Sequence, residues 1–103
     1  MGKENKKLWG ERLNALVIKY FKDYLPAFRV KKEFSYGPFW GVTMIGEGVE
    51  IKIEGDVGFN IKILIDNKDF PLWTFDRKVG DAQQTTDENI LYQLSILTKF
   101  LNP

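Results

Sequence analysis

The chain has 103 residues, 44% of them hydrophobic and 15% aromatic, with a formal net charge of +1, which is the length and apolar content of one domain with a modest core. It contains no cysteine and no histidine, which excludes disulfides, thiolate nucleophiles, thiolate or imidazole zinc sites and imidazole acid–base catalysis. The charge balance favours neither a polyanion nor a membrane surface as partner, no apolar run is long enough to span a bilayer, and the absence of cysteine with a charged start gives the expectation of a cytoplasmic protein.

Met1 to Lys7 is a basic, polar start expected to fray. Trp9, Leu13, Leu16, Val17, Tyr20 and Tyr24 then recur on one helical face, widened by Leu8, Ile18, Phe21 and Leu25, while Glu11, Arg12, Asn14, Lys19, Lys22 and Asp23 supply the polar side. Pro26 ends the helix by disfavouring the helical conformation at Leu25.

From Ala27 to Tyr36 the period changes to two. Phe28, Val30, Phe34 and Tyr36 alternate with Arg29, Lys31, Glu33 and Ser35, which predicts a half-buried strand with the apolar set inward. Lys32 interrupts the apolar row, as in an edge strand blunted by an inward charge. Gly37-Pro38 turns the chain into a strand over Phe39 to Ile45, and Gly46-Glu47-Gly48 suits a tight hairpin or a bulge. Val49 to Glu54 and Phe59 to Ile65 alternate cleanly around the turn Gly55 to Gly58. Leu64 is an apolar exception on the outward side. Asp66 to Asp69 predicts another turn, and Phe70 to Phe75 a last strand that Pro71 confines to an edge. A polar loop over Asp76 to Gln84 precedes a helix opened by a Thr85/Glu88 capping box. Its stripe is Ile90, Leu94, Leu97 and Leu101, with Leu91 and Phe100 beside it.

Short connections favour antiparallel neighbours in a meander, and an apolar face opposite a charged one lets both helices lie on the same side. The expectation is a single α+β domain over residues 1–103: a two-layer sandwich with an N-terminal helix, an antiparallel sheet of four to five strands and a C-terminal helix. A sheet curling around the first helix alone satisfies the same pattern.

Three constellations could carry chemistry. Glu50-Ile51-Lys52 has the Glu-x-Lys spacing of a metal-dependent nuclease strand, in which the carboxylate holds Mg²⁺ near an activated water. Glu33 is the one strand carboxylate upstream that could complete it. The plainer reading is a solvated face with cross-strand ion pairs. Tyr36, Phe39 and Trp40 crowd the Gly37-Pro38 turn, too many rings for a turn to bury, and exposed aromatics anchor protein interfaces. Arg29, Lys31, Lys32 and Lys62 with Tyr36 and Trp40 could instead stack bases and track phosphates, although Glu33, Glu50 and Glu54 dilute that field. No dinucleotide, Walker, EF-hand or acyl-transfer pattern is present, and no cofactor or metal is expected.

The functional expectation is therefore a non-catalytic protein-binding or regulatory module of the inhibitor or immunity kind. Tyr36, Phe39 and Trp40 would be its anchors, and Arg29, Lys31, Glu50 and Lys52 its charge complement. A nucleic-acid module is the alternative. No membrane partner is expected, and the chain would be a monomer or a homodimer paired through an edge strand such as Phe70 to Phe75.

Overall fold

The computed structural model describes residues 2–102, with side chains from residue 9 onward. Helix α1 (Gly2–Tyr24) leads into strands β1 (Arg29–Tyr36), β2 (Phe39–Gly46), β3 (Val49–Gly55), β4 (Phe59–Ile65) and β5 (Lys68–Pro71), and helix α2 (Asp87–Leu101) closes the chain. The strands form one antiparallel sheet in the order β1-β2-β3-β4-β5, a pure meander. Both helices pack on the same face. Met1 lies outside the described residues, and the polar start after it, expected to fray, is the first part of α1.

Each boundary has a local cause. Helix α1 stops at Tyr24, one residue before Leu25-Pro26, and the chain folds back through a turn closed by the Phe28 amide donating to the Leu25 carbonyl at 3.0 Å. Two hairpins turn on two residues each, Glu47-Gly48 (φ 53° and 77°) and Asp66-Asn67 (φ 52° and 65°). Positive φ at both central positions gives the turn a twist that matches the paired strands.

The core is the inner face of the sheet. Ile51, Ile53, Ile61 and Ile63 from the central strands meet Leu13, Val17 and Phe21 of α1 and Ile90, Leu94 and Leu97 of α2, all fully or almost fully buried. The helices run parallel. Arg12 donates to Asp87 at 2.8 Å near the start of α2, and the Tyr20 hydroxyl meets the Thr98 hydroxyl at 2.8 Å further along. The hydrogen bond to Asp87 raises the Arg12 pKa above its ordinary value. Because a raised basic pKa stabilises the fold below the group's ordinary value, that contribution is present throughout the neutral range.

Three expectations need correction. The last strand is not Phe70 to Phe75. The turn is shorter, so β5 begins at Lys68 and ends at Pro71, where a 3-10 turn (Leu72–Thr74) drops Leu72 into the core. An edge-paired dimer through Phe70 to Phe75 thus has no such strand to use. The loop after it is not wholly polar. A second 3-10 turn (Arg77–Asp81) buries Val79, and Ala82 is buried beside it because Gln93 of α2 donates to the Ala82 carbonyl at 2.7 Å. The cap of α2 is Thr86, whose hydroxyl accepts from the Asn89 amide, and not Thr85.

Candidate functional site

With both helices on the inner face, the opposite face of the sheet lacks a covering layer among the described residues. Its composition depends on one irregularity. In β1, Val30 pairs with Met44 and Lys32 with Thr43, so Lys31 has no partner of its own on β2. Two residues oppose one, a β-bulge, and the alternation of β1 resumes out of phase. Downstream of it, Glu33 lies opposite Val42 and Ser35 opposite Trp40 on the helix side, whereas Phe34 and Tyr36 lie opposite Gly41 and Phe39 on the outer face. The expected facing of this half of the strand is therefore reversed.

The reversal builds a ring cluster. The Phe34 and Tyr36 centroids are 5.8 Å apart, and those of Tyr36 and Phe39 are 5.7 Å apart. The Phe34 ring lies on Gly41: a Cβ built there would be 2.6 Å from Phe34 Cζ and 2.9 Å from Glu54 Cβ. The absence of a side chain at Gly41 is what admits the ring. Tyr36 is 65% exposed and Phe39 44%.

Trp40 does not belong to this cluster, and its expected role as an anchor is corrected. It is fully buried on the inner face with Val42 and Met44, its ring centroid 6.0 Å from that of Phe59 and its indole N–H donating to the Asp56 carbonyl at 3.4 Å. The physical reason is strand parity: next to Phe39 in β2, Trp40 must point to the other side of the sheet.

The charged residues fall as follows. Arg29 is exposed opposite Ile45, on the outer side. Lys31 reaches across β2 to Glu50, Nζ to Oε1 2.7 Å, in a partly exposed ion pair. Lys52 is half-buried on β3 beside Glu50 and Glu54, and Lys62 lies directly opposite it on β4. Glu33, required as the second carboxylate of a Glu-x-Lys metal site, is on the opposite face from Glu50 and two strands away. Glu33 and Glu50 therefore cannot share an ion. Among the described residues no three His, Cys, Asp or Glu side chains are grouped to hold a metal.

Two features escaped the sequence reading. Phe34 was placed in the core, although the lysine pair Lys31-Lys32 interrupting an alternating strand is the local sign of a bulge. The other is an apolar ridge at the β5 end of the molecule, where Phe70, Trp73 and Phe75 are each about half exposed and the Phe75 ring meets that of Phe100 edge-on at 5.0 Å. Pro71, by ending β5, is what lifts Trp73 out of the sheet.

No helix among the described residues is long and apolar enough to cross a membrane. No protein-family model, curated protein or solved structure matches the chain.

Proposed function

We propose that this chain is a non-catalytic protein-binding module, of the inhibitor or immunity kind, that holds its partner against the outer face of the sheet. Tyr36 and Phe39 are the anchors, propped by Phe34, and Arg29, Lys31, Glu50 and Lys52 supply the charge complement. The observation that carries this reading is the three-ring cluster at the rim of an uncovered sheet, with Tyr36 65% exposed. Large rings held in place by neighbouring rings lose little conformational freedom on binding, which is why Tyr and Trp dominate interface energetics. The surrounding charges would act mainly on association rate and on choice of partner.

Lysines beside the rings support a second reading, a nucleic-acid surface that stacks bases on Tyr36 and Phe39. Glu50 and Glu54 in the same field weigh against it. Affinity capture from native lysate, with and without nuclease treatment, tests both. The protein reading expects a bound protein that survives nuclease and is lost with Tyr36→Ala/Phe39→Ala, while circular dichroism shows the fold unchanged. Capture that disappears with nuclease supports the nucleic-acid reading, and capture indifferent to the double substitution removes the anchors.

A further inference from the structure

One lateral row crosses the outer face through every strand. Lys32 lies opposite Thr43, Thr43 opposite Lys52, Lys52 opposite Lys62, and Lys62 opposite Pro71. Three of these residues are lysines, and two of them are direct cross-strand neighbours. Like charges in that position oppose sheet formation.

Nothing in the fold offsets the cost. The ion pairs among the described residues are Arg12–Asp87, Lys19–Asp23 and Lys31–Glu50, and none involves Lys32, Lys52 or Lys62. Glu50, the nearest carboxylate on one side of Lys52, is already held by Lys31. A shallow cavity of about 310 Å³ opens over the row, lined by Lys31, Lys32, Thr43, Glu50, Lys52 and Glu54. Thr43 places a hydroxyl at its floor.

We infer that this row recognises an acidic protein surface, so that the partner presents carboxylates to Lys32, Lys52 and Lys62 beside an apolar socket for Tyr36 and Phe39. The inference rests on the protein-binding reading and adds the partner's chemistry. At backbone level the lysines stand about 10 Å and about 5 Å apart along the row, from the spacing of neighbouring strands. Separate carboxylates on a folded surface can match that spacing. A nucleic-acid strand fits less well: its charges are continuous, and Glu50 and Glu54 stand about 7 Å to either side of Lys52 along β3, from the rise of two strand residues. A protein surface can answer Glu54 with a cation of its own.

The test uses the full chain, ¹⁵N-labelled, titrated at low salt with deca-glutamate and separately with an oligothymidylate of equal charge. The expected result is deca-glutamate shifts centred on the amides of Thr43, Lys52 and Lys62, with binding roughly tenfold weaker in Lys52→Gln/Lys62→Gln, the scale of losing two partly exposed charge contacts. Because that variant removes a repulsion, it should fold at least as stably as the wild type. Absence of shifts along the row, or tighter binding of the oligothymidylate, overturns the inference. The two levels of the argument separate in the lysate capture. A protein lost with Tyr36→Ala/Phe39→Ala but kept by Lys52→Gln/Lys62→Gln leaves the anchors standing and sinks the acidic partner. Indifference to both pairs of substitutions sinks both.

Discussion

Tyr36 and Trp40 sit at one hairpin and have opposite fates, because the sheet assigns them opposite sides. Trp40 is sealed under α1 and against Phe59, so truncation opens a cavity in the core. Trp40→Ala should cost about 3–5 kcal/mol, a large share of the roughly 5–15 kcal/mol that holds a domain together. Tyr36→Ala should cost under about 1 kcal/mol, since most of the ring already faces water. Urea midpoints for the two variants check the contrast, and equal losses would mean the outer rings are structural. Gly41 tests the cluster from below. In Gly41→Ala the new methyl must displace the Phe34 ring, at about 1–3 kcal/mol for overpacking. Ring-current shifts at Tyr36 should collapse with it, because Phe34 is the ring that props Tyr36.

At the scale of elements, the start of α2 gives a sharp test. Thr86 caps the helix through its hydroxyl, so Thr86→Ala should lose about 1 kcal/mol. Its neighbour Thr85 buries a hydroxyl with no hydrogen-bond partner. Thr85→Val, which keeps the shape and removes the orphan polar atom, should be neutral or stabilising. The reverse order in denaturant midpoints would place the cap one residue earlier, where the Thr85/Glu88 spacing puts it. Such one-residue errors show where sequence reasoning stops. The β3 and β4 patterns are legible because both strands are central and unbroken, and every inward isoleucine meets a helix. The end of α1 is legible because Pro26 acts locally. The outward face of Phe34 was not, because a bulge is a property of the pairing between β1 and β2. The alternation of β1 read alone contains an extra residue that only the partner strand exposes. The buried Val79 and Ala82 were hidden for a similar reason, since their burial comes from a distant glutamine.

Over the whole molecule, the two sheet faces do different work. The inner one carries the apolar contacts that hold the fold, and both edges are guarded. Strand β5 is four residues long and ends in Pro71, while β1 is bulged and its Phe34 carbonyl accepts from Asn14 of α1 at 2.8 Å. The outer face contributes little to the core and still carries Lys52 against Lys62. If that repulsion is retained for recognition, relieving it must strengthen the fold while weakening the function, as expected where selection acts on a site rather than on stability. Lys62→Glu replaces a like-charge pair by an opposite one. A cross-strand pair is worth about 0.2–1 kcal/mol, and 1 kcal/mol moves the melting temperature of a chain this size by about 4–8 °C. The melting temperature should therefore rise by about 1–8 °C at low salt. The gain should shrink as salt screens the pair, because both lysines are partly exposed. Thermal unfolding at two ionic strengths measures it. A melting temperature that falls, or a gain that does not respond to salt, would mean that the lysines are already satisfied within the fold and that the row is not held for a partner.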